Sequence, residues 1–144
     1  MPTHVAAVLD FVSGTVATLV MRFDSPTPYD PYLEIQSTTD SLQLNDPNNF
    51  GGDILLRQFG DQVWNKVSPL FGYIEENRGL GVADMASAIQ NNRLHRASGE
   101  LAYHVLDIME SIVEASDEDK SVILKSSMTC PAPLPVGLLP GRID

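Results

Sequence analysis

Residues 3–11 alternate with a period of two, placing Val5, Ala7, Leu9 and Phe11 on one face and Ala6, Val8 and Asp10 on the other. Ser13-Gly14 is a tight-turn signal. Residues 15–24 then return with Ala17, Leu19, Met21 and Phe23 opposite Val16, Thr18, Val20 and Arg22. This pattern predicts a β-hairpin. Both faces of its second strand carry apolar residues, which a sheet with one solvated face would not need, so the sheet is expected to be covered twice. Three prolines in residues 25–31 predict a loop, because proline cannot donate to a ladder and restricts the residue before it. A second hairpin is expected from residues 33–37 and 41–45 around Thr38-Thr39-Asp40. The turn cluster of residues 46–52 separates it from a third, residues 53–59 and 63–68 around Gly60-Asp61, with Trp64 and Lys66 on one face and Val63 and Val67 on the other.

The period then changes from two to that of a helix. Val82, Met85, Ala86 and Ile89 recur at i, i+3, i+4 and i+7, with Asn91-Asn92 as a stop. After the loop RLHRA, Ser98 is a good N-cap for a second helix, with Glu100 in its first turn where the dipole favours an anion. On a helical wheel Leu101, Ala102, Val105, Leu106, Ile108, Met109, Ile112 and Val113 occupy one broad sector. Glu100, His104, Asp107, Glu110, Ser111 and Glu114 occupy the other. That is the wide stripe of a helix lying on a core. Residues 121–126 read as a last strand, and the prolines at 131, 133, 135 and 140 predict an extended tail strapped along the surface. The order specifies an α+β fold. It predicts an open, mainly antiparallel sheet with two or three helices packed on one face, in a single domain over residues 1–130 followed by a proline-rich tail over 131–144. The helices cover one side only, so the opposite sheet face is expected to pair with a second copy, giving a homo-oligomer such as a homodimer.

Composition narrows the partners. A formal net charge of −10 over 144 residues argues against nucleic acid and against an anionic membrane surface. No apolar run approaches the ~18 residues of a membrane span, and the N-terminus lacks a signal-peptide pattern. With a single cysteine, Cys130, no intrachain disulfide can form; a cytoplasmic location and a buried, inert thiol are expected.

Motifs for chemistry are sparse. Gly79-Leu80-Gly81 would place the third glycine of a dinucleotide fingerprint at Asp84, and polar residues rather than a buried strand precede it, so cofactor binding by this segment is rejected. His4, His95 and His104 are too scattered for a metal pattern, and no Gly-x-Ser-x-Gly elbow occurs. Arg22 reads either as a solvated rim charge or as an anchor for an anion or hydroxyl. Tyr29 beside Asp30 suits hydrogen bonding to a polyol, or equally a tyrosine capping the sheet end. Arg78 precedes a helix N-terminus, where the dipole disfavours a cation, and therefore suggests a specific carboxylate partner or ligand. His95 and Arg96 are expected to fix the interhelix loop through hydrogen bonds to carbonyls.

The segments PTHVAAVLDFVSGTVATLVMRFD, YDPYLEI, FGGDILL, RGLGVADMASAI and HRASGELAYHVLDIMESI, in that order over nearly the whole chain, resemble the C-terminal domain of the Gfo/Idh/MocA (glucose–fructose oxidoreductase and inositol dehydrogenase) family. The resemblance implies a domain that follows a Rossmann domain carrying NAD or NADP, shapes a sugar or polyol pocket, and mediates oligomerisation through its sheet face. The family's glycine fingerprint, its Glu-Lys-Pro segment with the catalytic lysine and its Asp-x-x-x-His pair have no counterpart here, so no catalytic, cofactor-binding or metal residue is assigned. The turn at residues 37–41 also lacks the glycines usual in the family. Inositol dehydrogenases place tyrosines at the loop matching Tyr29, which makes Tyr29 the residue carried over; Thr3, His4, Arg22 and Arg78 join it as substrate-side candidates by position. The expectation is a fragment, or separately encoded half, of an NAD(P)-dependent sugar or polyol oxidoreductase, partnered by a separate Rossmann-domain chain and not catalytic alone. The alternatives are a stand-alone, non-enzymatic module that self-associates or binds a small ligand, and a decayed or truncated gene product.

Overall fold

The computed structural model describes residues 3–26, 31–75, 77–139 and 141–144. Strands β1 (His4–Asp10) and β2 (Val16–Arg22) pair antiparallel from His4↔Arg22 to Asp10↔Val16. The turn between them closes through Gly14 at φ +86°, a left-handed conformation that glycine adopts without a Cβ penalty. The register sets Val5 against Met21, Ala7 against Leu19 and Leu9 against Ala17 on the more covered face. On the other face, Val8 and Val16 are 66% and 61% exposed. The two-sided apolar pattern is therefore real, and one of its sides is open.

Four more strands, β3 (Leu33–Gln36), β4 (Asp40–Leu44), β5 (Ile54–Gln58) and β6 (Asn65–Val67), form an antiparallel meander in chain order. Register pairs Leu33 with Leu44, Ile35 with Leu42, Leu42 with Leu56 and Ile54 with Val67, giving this sheet one apolar face. The other face is polar: Gln36 and Gln43 donate to the Glu34 carboxylate at 2.7 and 3.1 Å and hold its pKa below the ordinary value. Next to them the Arg57 guanidinium lies 4.7 Å from the Trp64 ring centroid. The β3–β4 turn needs no glycine, because the Ser37 hydroxyl accepts from the Thr39 and Asp40 amides at 3.2 and 3.0 Å while Ser37 N donates to Asp40 O. The single sheet expected from the pattern is divided into a two-stranded and a four-stranded sheet. The connection between them carries Pro26, Pro28 and Pro31, which supply no ladder N–H.

Two helices complete the α+β fold, α1 (Leu80–Gln90) and α2 (Gly99–Asp117). Ser98 caps α2 as its residue type predicts, in extended backbone with its hydroxyl accepting from Leu101 N at 3.1 Å. Both helices end through a left-handed residue. Asn92 and Asp119, each at φ +51°, turn the chain so that Arg93 N reaches Ala88 O at 3.0 Å and Lys120 N reaches Ala115 O at 3.2 Å. Among the described residues only Ala88 and Asp84 are buried, and none in α2. The broad apolar sector of α2 lies about half exposed, with Leu106 at 50% and Met109 at 53%.

Two expectations fail. Residues 121–126 form no strand, because the Asp107 carboxylate takes the Lys125 and Ser126 N–H groups (3.1 and 2.9 Å) that a ladder would have used, and Ile123 faces solvent. Cys130 is exposed, not buried, with its thiol 3.7 Å from the carbonyl oxygen of Pro131.

Candidate functional site

A charged constellation gathers where α1, the interhelix loop and the tail meet. Asp84, on the second turn of α1, is buried and accepts from Arg96 N at 2.8 Å and from Arg93 Nη2 at 2.7 Å, and also pairs with Arg96 Nη1. Burial pushes the Asp84 carboxyl up, but these hydrogen bonds and the two guanidinium charges outweigh it and hold the group below the ordinary aspartate value. Arg93 continues to Asp144 at 2.9 Å, and Ser87 donates to the same carboxylate. Hydrogen bonds from Ser87 and then Arg93 keep Asp144 low as well. Arg96 extends the other way, donating to the carbonyls of Ala132 and Pro133 at 3.0 and 3.4 Å. The carbonyl-binding role expected of Arg96 is present, directed at the tail. His95 Nδ1 lies 3.0 Å from Ala97 O within the loop itself. Through the bonds of Arg93 to Asp144 and of Arg96 to Ala132 and Pro133, the network ties the tail to the helices.

A second cluster has the residue types of a hydrolytic triad without its geometry. His104 and Asp107, three apart on α2, both reach Ser126. The Ser126 hydroxyl donates to Asp107 at 2.7 Å, so His104 Nδ1, 2.7 Å away, meets that oxygen as a donor rather than as a base. Asp107 is held below its ordinary pKa by the Ser126 hydroxyl, the Ser126 amide and the Lys125 amide. It is a capping carboxylate for the chain that follows α2.

The substrate-side candidates fall in two places. Thr3, His4 and Arg22 share the open end of the first hairpin: His4 and Arg22 are a cross-strand pair on one face, while Thr3 donates its hydroxyl to Asp24 at 2.8 Å and accepts from Phe23 N at 2.9 Å. Arg22 takes part in an interaction of its own. Arg78 lies elsewhere, in a cleft of about 390 Å³ lined by Asn45, Asn48, Asn49, Phe50, Gly51, Gly52 and Ile74. None of Thr3, His4 and Arg22 contributes to that lining. Tyr29 lies outside the described residues.

Sequence reasoning missed the cleft and the Asp84 network. The signal for the first was the three asparagines and two adjacent glycines in residues 45–52; for the second the pattern gave none, because Asp84 lies on the side of the helix opposite the Val82, Met85, Ala86 and Ile89 stripe, and it is that opposite side, with Ala88, that is buried while Val82 and Ile89 are exposed. β6 ends at Val67, residues 68–79 contain no strand among those described, and Gly79 is the N-cap of α1. Among the described residues no group of three or more His, Cys, Asp or Glu side chains is placed to hold a metal ion, and no helix is long and apolar enough to cross a membrane. Comparison with protein-family models, curated proteins and solved structures finds no match to this chain.

Proposed function

We propose that this chain is the substrate-side and oligomerisation domain of an NAD(P)-dependent sugar or polyol oxidoreductase of the Gfo/Idh/MocA type, and that it is not catalytic alone. The single observation carrying the assembly role is its surface. The chain exposes 11,516 Å² at a mass of 15.7 kDa, where a folded monomer of that mass exposes about 7,300 Å². The excess of about 4,000 Å² is more than one protomer contributes to most obligate interfaces, which bury about 2,000–5,000 Å² over both partners. It includes the open valine face of the first hairpin, the apolar face of the four-stranded sheet and the α2 stripe. A domain with so little interior of its own depends on a neighbour, and the self-complementary answer is a second copy.

The substrate role rests on the sequence resemblance and on the polar groups at the hairpin end and in the Arg78 cleft. Hydride transfer requires a nicotinamide and a proton donor held against the substrate, which a Rossmann-domain chain would supply. Isothermal calorimetry tests this division of labour. Titrating NADH or NADPH into the chain alone should give no saturable heat; a saturable isotherm with either would overturn the assignment.

A further inference from the structure

We propose that two copies of this chain join along the outer edge of β1, so that their two-stranded sheets run together as one antiparallel sheet; this rests on the assembly role above and says which surface carries it. The register fixes which backbone groups are available. Phe23 N donates to Thr3 O and Phe11 N to Thr15 O, each at 2.9 Å, and in an antiparallel pair hydrogen-bonded and non-hydrogen-bonded positions alternate. Odd-numbered residues of β1 therefore direct their N–H and C=O groups at β2, while those of His4, Ala6, Val8 and Asp10 point away from it. Among the described residues β1 and β2 pair with no third strand. A two-stranded hairpin alone is marginal in water, and a further strand is what it lacks.

The other sheet is guarded at its edges. β3 has four residues and starts just after Pro31, and β6 has three residues and carries Lys66; short strands, proline and lysine each discourage further pairing. β1 runs for seven residues with no proline, no lysine and no break in its register. Its sequence is also complementary to its own reverse. A two-fold axis at Ala7 sets His4 opposite Asp10 of the second copy, Val5 opposite Leu9 and Ala6 opposite Val8. An imidazole then meets a carboxylate at both ends, with apolar pairs between them. The outward amides and carbonyls meet in the hydrogen-bonded positions of the new ladder. β2 is as long, but the same operation about Leu19 sets Val16 opposite Arg22, which already takes part in another interaction. A two-fold at β1 closes on itself, whereas head-to-tail pairing of β1 with β2 would continue as a filament. It also extends the open face bearing Val8 and Val16 across both copies.

Disulfide cross-linking of the intact chain tests this. In a Cys130→Ser background, Ala7→Cys sets two thiols across the two-fold in a non-hydrogen-bonded pair, with Cα atoms about 4.5 Å apart, within the roughly 4.4–6.8 Å that a disulfide spans. In a glutathione redox buffer at micromolar protein it should give a covalent dimer as the main species by mass spectrometry. Val16→Cys, on the open face of β2, reports face-to-face packing instead and should give about tenfold less. In sedimentation equilibrium, Ala6→Pro deletes an outward N–H and no hydrogen bond of the hairpin, and should weaken association at least about tenfold. His4→Glu sets two carboxylates together and should weaken it as well, and adding Asp10→Lys should restore it. His4 and Asp10 are exposed, so this pair decides the question if Ala6→Pro fails to fold. A dimer that cross-links at Val16 and not at Ala7, or whose association is unchanged by these substitutions in folded chains, would overturn the β1 edge and leave the oligomerisation role standing. A monomer at every concentration would overturn both.

Discussion

Removing the Asp84 carboxylate is predicted to loosen both the helix pair and the tail. Its side chain is 5% exposed and serves Arg93 and Arg96, themselves 26% and 23% exposed. Stripping one partner from a buried charge pair costs about 3–5 kcal/mol. Here the two guanidinium groups reach some water and keep Asp144, at 2.9 Å from Arg93 and 3.9 Å from Arg96. Asp84→Ala is therefore expected at the lower end or below it, about 2–3 kcal/mol. Asp84→Asn retains an oxygen for the Arg96 amide and loses only the charge, so about 1–2 kcal/mol is expected. In urea, with a slope of about 1.5 kcal/mol per molar, Asp84→Ala should lower the midpoint by about 1.3–2 M and Asp84→Asn by about 1 M. Arg96→Ala should also expose the Ala132–Pro133 region to limited proteolysis, since its Nε donates to Ala132 O. An Asp84→Ala midpoint within about 0.3 M of the parent would refute the view that this network holds the helical half together.

Three other consequences are open to simple measurements. The carboxyl groups of Asp84, Asp107 and Asp144 all lie below their ordinary values in the folded chain; a depressed folded pKa stabilises above the unfolded value, about 3.9. Stability should therefore hold at neutral pH and decline as pH falls below about 4 toward the lower folded values, with tail release followed by Trp64-independent probes such as amide exchange at Lys125 and Ser126. A flat stability profile between about pH 5 and 2 would contradict this. Ser98→Ala removes the hydroxyl that accepts from Leu101 N and should cost about 1 kcal/mol in thermal unfolding, with Ser98→Gly nearer the parent. Asp107→Ala should speed amide exchange at Lys125 and Ser126 at least tenfold, while His104→Ala, which leaves those amides bonded, should not.

Local features were legible in the sequence where one residue type decides one conformation. Ser98 was readable as a cap, Asn91-Asn92 as a stop and Ser13-Gly14 as a turn because the physics of each is contained within a few neighbours. The period-two pattern likewise placed Val5, Ala7 and Leu9 on one face and set the hairpin register. What failed depended on distant partners. Residues 121–126 have the composition of a strand, but the Asp107 carboxylate, more than a dozen residues earlier, took their amides. Asp84 appeared only as the position where a fingerprint glycine was missing, although its burial depends on Arg93 and Arg96 from the next loop. The division into two sheets turns on whether strands separated by a proline-rich loop come into register, which neither strand's own pattern encodes. For the candidate site, Arg78 was visible as a cation misplaced before a helix. Its neighbours Asn45, Asn48 and Phe50 were not, since a turn cluster reveals nothing of what it folds against.

The central claim is that this chain completes its interior with a second copy. Sedimentation equilibrium of the chain over low to high micromolar concentration tests it most directly. The open valine face of the first hairpin and the half-exposed apolar face of the four-stranded sheet predict a concentration-dependent mass at or above twice the 15.7 kDa of one chain. A single species of 15.7 kDa across the whole range, folded by circular dichroism, would contradict it.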